Sequence, residues 1–132
     1  MKKISVLLAS ATLILATSVG FASTDHHAKV PLESIDHSGV SGFVQITQLP
    51  RGGSNLVINV EGLHPGASYA TFYYESADCS APADLIQSFI ADGNGRALIH
   101  AKIDDDLEKV GSVSVRVGPT YGNLLACANV HP

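Results

Sequence analysis

The chain has 132 residues, with 8 Lys+Arg against 12 Asp+Glu and a formal net charge of −4. That length suits one domain with one modest core. An acidic balance without a basic block argues against nucleic acid and anionic membrane surfaces as partners.

The chain opens on Met1-Lys2-Lys3, followed by an uncharged run of apolar and small residues over 4–19. Gly20-Phe21-Ala22 then places small residues at −3 and −1 of a cleavage site. This pattern is expected of a secretory signal peptide over residues 1–22, and its apolar run is too short for a membrane span. No Cys follows the run, so no lipid anchor is expected there, and no membrane contact after cleavage. Loss of Lys2 and Lys3 leaves six cations against 12 acids, a mature charge of −6. The expected location is periplasmic or extracellular. Residues 23–29 are polar and read as a flexible N-terminal tail carrying His26 and His27. Residues 30–132 read as a single domain.

From Val30 onward short β-like runs alternate with Gly, Pro, Asn and Asp. Residues 43–47 form one run, and Pro50-Arg51-Gly52-Gly53 is a turn. Leu56, Ile58 and Val60 then share one strand face, with Asn59 and Glu61 on the other. Residues 68–75 are aromatic and β-branched, with Tyr69, Thr71 and Tyr73 alternating with Ala70, Phe72 and Tyr74. One face of that strand must be core. The other is a candidate platform for a protein, peptide or glycan partner, so Tyr69, Tyr73 and Tyr74 are the candidate binding surface. Residues 85–91 and 97–103 flank Asp92-Gly93-Asn94-Gly95, a hairpin signal. Residues 104–109 are the one helical turn expected, with Asp104, Asp105 and Asp106 at its favourable N-terminal end. Val113, Val115 and Val117 alternate with Ser114 and Arg116, and residues 124–130 close the chain. Seven or eight strands in this rhythm predict an all-β fold, an antiparallel β-sandwich or small barrel.

Cys79 and Cys127 are the only cysteines. In an exported chain such a pair reads as one disulfide, and Cys-x-x-Cys redox or metal spacing is absent. Six His residues are scattered at 26, 27, 37, 64, 100 and 131, and are expected on the surface. Copper or zinc held by His26 and His27 is the alternative reading. A mature start at Thr24-Asp25-His26 would present an amine, two amides and an imidazole to square-planar Cu(II). The acidic residues 104–108 lack the spread oxygen ligands and glycine turn of a calcium loop. Neither a nucleophile elbow, a phosphate loop nor a catalytic carboxylate pair stands out.

Three segments resemble the copper/zinc superoxide dismutase superfamily. Ser38-Gly39-Val40-Ser41-Gly42-Phe43 is similar to its Gly-Val-x-Gly turn into the second strand. Gly62-Leu63-His64-Pro65-Gly66 resembles the Gly-Leu-x-x-Gly turn before the metal-bearing strand. Leu125-Ala126-Cys127-Ala128-Asn129-Val130 resembles the C-terminal Leu/Ile-Ala-Cys-Gly-Val strand. Asp92-x-x-Gly95-x-Ala97 is similar to a later Asp-x-x-Gly-x-Ala turn. The resemblance spans residues 30–130 and implies an eight-stranded, Ig-like Greek-key antiparallel sandwich with a Cys79–Cys127 disulfide.

The departures matter more than the matches. In the family, a His-x-His pair on the metal-bearing strand binds copper. Here residues 68–75 contain no His. The following zinc loop is reduced to residues 76–84, again without His, and so is the stretch 112–118 that should hold the last copper ligand. Leu124 stands where the substrate-guiding Arg is expected. The expectation is therefore a dismutase-like fold with neither catalytic residues nor a resident cofactor, acting as a binding or structural module.

Overall fold

The computed structural model describes residues 26–132. The expected leader and residues 23–25 of the expected tail lie outside the described residues. Eight strands follow in order: β1 (His27–Ser34), β2 (Ser41–Gln48), β3 (Ser54–Glu61), β4 (Ser68–Tyr74), β5 (Ala83–Ile90), β6 (Ala97–Ile103), β7 (Ser112–Val117) and β8 (Leu124–Asn129). Every pairing is antiparallel. The spatial order is β5-β4-β7-β8-β1-β2-β3-β6. The first sheet holds β1, β2, β3 and β6, and the second holds β4, β5, β7 and β8. β1 joins them: Val30 and Leu32 pair with β2, while Glu33 and Ser34 pair with β8. β6 lies beside β3, and β7 beside β4, which makes the connections Greek keys.

Alternation fixes the register. In β3, Ser54, Leu56, Ile58 and Val60 are buried, while Asn55, Asn59 and Glu61 are exposed. The buried set meets Val44 and Ile46 of β2, Ile99 of β6, and Val113 and Val115 of β7. Each such side chain contributes about 1.5–3 kcal/mol of transfer free energy on burial. A one-residue slip would turn this whole set to solvent.

Three expectations need correction. The tail does not extend to residue 29. β1 begins at His27, because His27, Ala28 and Lys29 find backbone partners in Thr47, Ile46 and Gln45. The Asp92–Gly95 signal does make a tight turn, but no hairpin. β5 pairs only with β4, and β6 only with β3, so this turn carries the chain from one sheet to the other. The helical turn shrinks to a 3-10 turn, Leu107–Lys109, and Asp106 makes no side-chain cap on it. The Asp106 carboxylate instead accepts from Gly53 N–H at 2.8 Å and Gln48 Nε2 at 2.9 Å, while Leu107 N–H donates to Gln48 Oε1 at 2.7 Å. A tertiary clasp to the β2–β3 turn has displaced the local cap.

Glycine is required where strands approach too closely for a side chain. At Gly62, φ is +83° and an added Cβ would overlap the Gly39 carbonyl. At Gly42, φ is +143° and a Cβ would overlap the Asn59 carbonyl. The Gly39–Gly42 and Gly62–Gly66 turns are thus packed backbone to backbone at one end of the first sheet.

Candidate functional site

β4 is the strand the resemblance marks as metal-bearing, and it is covered on both faces. Its inward side chains, Tyr69 and Tyr73, belong to the main core. Its outward side chains, Ala70, Phe72 and Tyr74, form a second, smaller core with Cys79. Cover comes from segment 75–82, after β4, and segment 118–123, after β7. The expected tyrosine platform is therefore corrected: Tyr69, Tyr73 and Tyr74 are only 4%, 8% and 1% exposed. The outward face of β4 is covered because Phe72 and Tyr74 pack with Cys79 of the following loop and Phe72 with Tyr121.

The disulfide fastens the first cover. Cys79 and Cys127 are bonded, and Cys79 is buried. Cys79 N–H donates to Ser112 Oγ at 2.9 Å, and that hydroxyl donates to the Ser76 carbonyl at 2.7 Å. Loop, disulfide and β7 are thereby locked together.

Beneath the second cover sits Arg116, which projects outward from β7 opposite Ala70 of β4. Its Nε donates to Tyr74 Oη at 2.9 Å. Nη1 donates to the Gly122 carbonyl at 2.9 Å and Nη2 to the Cys79 carbonyl at 3.4 Å. The guanidinium lies 3.8 Å from the Tyr121 ring centroid, a cation–π contact. Tyr121 also meets the Phe72 ring edge to face, with centroids 4.9 Å apart. Tyr74 Oη completes its bonding with Ser114 Oγ at 2.7 Å. Burial, followed by contact with Tyr74, raises the Tyr121 phenol pKa. One arginine thus ties both covering segments to the strand below. Its acceptors are a phenol and two carbonyls, all neutral.

On the inner side, Tyr69 Oη accepts from His64 N–H at 2.8 Å. Tyr73 Oη donates to Asp105 Oδ2 at 3.0 Å. Burial first, and then that carboxylate, push the Tyr73 phenol well above its usual range. Among the described residues no buried side-chain nitrogen or oxygen lacks a hydrogen-bond partner.

The histidines do not converge. His26, His37, His64, His100 and His131 are exposed and spread over separate strands and turns. His27 sits on β1 against Thr47, with Nδ1 3.4 Å from Oγ1. Among the described residues, no group of three His, Cys, Asp or Glu side chains could hold a metal ion. The outward donors of β4 and β7 are phenol, hydroxyl and guanidinium groups. These do not fit a redox copper centre, which needs several imidazoles.

Sequence reasoning noted Arg116 only as a polar position alternating with valines. It gave Tyr121 no role. The signal available was a lone arginine on the outward face of a strand beside an aromatic β4. The folding back of segment 118–123 left no local trace. No protein-family model and no curated protein matches the chain.

Proposed function

We propose that this chain is a divergent copper/zinc superoxide dismutase-like sandwich, exported to the periplasm or beyond, that works as a non-catalytic binding or structural module. One observation carries the reading. On the strand where the resemblance expects copper ligands, this chain has no His and places Ala70, Phe72 and Tyr74 in a core closed by a disulfide-fastened loop. The eight-stranded Greek-key order and the packed glycine turns support the same relationship.

The test is superoxide dismutation by the mature protein after incubation with copper and zinc. The expected rate equals that of buffered metal alone. A protein-dependent, copper-dependent rate above it overturns the reading. Export is tested by sequencing the mature N-terminus, which is expected to begin at Ser23. The envelope metal-binding alternative rests on His26 and His27. Cu(II) and Zn(II) titration beside the His26→Ala/His27→Ala variant decides it: binding weaker than micromolar, or unchanged by the substitutions, removes it.

A further inference from the structure

The outer face of the first sheet is as open as that of β4 in the second is closed. Cross-strand registers place its outward side chains in rows across β1, β2, β3 and β6. One row reads His27, Thr47, Asn55, Lys102. The next reads Lys29, Gln45, Val57, His100. A third reads Pro31, Phe43, Asn59, Leu98. In the first two rows each rim carries one lysine and one histidine. Between the rims lie a hydroxyl, two amides and one valine.

This placement runs against the balance of the molecule. The mature chain has twice as many acids as cations, yet neither of these rows contains an acid. The acids of the face, Glu33 and Glu61, sit at the opposite end, where Glu61 and Arg96 line another shallow groove. Lys29 is held in place, with its ammonium 4.5 Å from the Phe43 ring centroid. Asn55, Val57, His100 and Lys102 line a depression of about 350 Å³ between β3 and β6. Leu98 beside it is 59% exposed.

We propose that this face binds an acidic oligosaccharide, one built of uronic-acid units. Four strands spaced about 4.8 Å apart set the two rims about 14 Å from each other. A ligand touching both is an oligomer, not a lone anion. Carboxylates meet the lysines and imidazoles at the rims. Hydroxyls meet Thr47, Gln45 and Asn55 between them, and sugar C–H faces meet Pro31 and Leu98. An acidic peptide would satisfy the rims, and its backbone could bond the amide floor, but it brings no ring C–H face to Pro31 and Leu98. The proposal names the ligand of a binding module, and so rests on the non-catalytic reading above. The dismutation assay tests that reading separately.

The probe is hexagalacturonate, titrated into the mature protein by calorimetry and by amide chemical-shift mapping. Maltohexaose serves as the neutral control and hexaglutamate as the peptide control. Hexagalacturonate is expected to bind, more weakly as salt rises, and to shift amides of β1, β3 and β6. Lys29→Glu/Lys102→Glu should weaken it about tenfold or more. Lys109→Glu, exposed but off this face, should leave it unchanged. No binding at millimolar hexagalacturonate, shifts confined to other surfaces, or an unaffected double variant overturns the site. Equal binding of hexaglutamate overturns the saccharide assignment. Circular dichroism of the double variant separates lost binding from lost fold.

Discussion

The two outer faces of this sandwich solve opposite problems. In the second sheet, β4 and the adjoining part of β7 are roofed by two loops, a disulfide and an arginine clamp, while β5 at its edge stays open. The first sheet is left bare. The difference is visible in the strands themselves. β4 is buried at every position from Tyr69 to Tyr74, whereas β3 alternates buried with exposed or half-buried residues from Ser54 to Glu61. A strand covered on both faces must be apolar or fully hydrogen-bonded throughout, whereas a half-covered strand can leave its polar positions to water. The roofed face therefore carries the costs of order, with each buried hydroxyl of Tyr74, Ser112 and Ser114 needing a designated partner. The bare face is free to carry ligand-facing groups.

The largest test of this contrast removes the roof's covalent anchor. Cys79 and Cys127 lie 48 positions apart, and constraining such a loop in the unfolded chain contributes about 4 kcal/mol. The Cys79→Ala/Cys127→Ala variant should lose a comparable amount in urea unfolding. A loss below about 1 kcal/mol would mean that packing alone holds the roof.

Tyr74→Phe probes the hub beneath it. The change leaves Ser114 Oγ, which is buried, and Arg116 Nε, which is half-buried, without their shared partner. The expected cost is about 1–3 kcal/mol. A cost near zero would show that this cluster is wetter than its geometry implies.

A third test concerns acid. Hydrogen bonds from Gln48, and then from Gly53, lower the Asp106 carboxyl pKa from its ordinary 3.8. The folded form therefore holds this proton less tightly than the unfolded chain. Its stabilisation is present above the unfolded value and is lost as pH falls through the folded one. Asp106→Asn should flatten the acid limb of stability below about pH 4 relative to the parent. An unchanged limb would assign acid sensitivity elsewhere, for example to Asp92. Backbone N–H donors of Arg96 and Asn94 likewise lower the pKa of that carboxyl.

Much of the sandwich was legible because period-two alternation is a local signal. Residues 56–60 and 97–103 fall within β3 and β6, and 68–74 is β4 itself. The cysteine pair was legible from its even number and the absence of Cys-x-x-Cys spacing. What escaped was everything decided between distant segments. The Asp92–Gly95 turn has hairpin chemistry, but sheet membership is set by what β5 and β6 pair with, and no turn residue encodes that. Tyr69, Tyr73 and Tyr74 suggested a platform because alternation reveals two faces without saying what lies over either. The clamp at Arg116 depends on Tyr121 and Gly122 folding back over it, and an isolated arginine announces no such partner. His27 looked like tail because its strand partner, Thr47, lies 20 residues away.

The smallest expected effect is the most exacting for the contrast. Leu98 is a large apolar side chain on the bare face, in a row with Asn59, Phe43 and Pro31. Leu98→Thr keeps a strand-favouring residue and removes apolar surface of which more than half stays exposed in the folded chain. Stability should stay within about 0.5 kcal/mol of the parent, as for surface changes generally. The same substitution at an inward position such as Ile99, which is 1% exposed, would leave a buried hydroxyl and a cavity. The measurement is urea unfolding at two protein concentrations at least tenfold apart. If Leu98→Thr costs more than 1 kcal/mol, and the cost grows with concentration, another copy covers this face in solution. The second sheet would then be roofed at β4 by its own loops and the first by a neighbour, and the difference between the faces would lie in where each cover comes from.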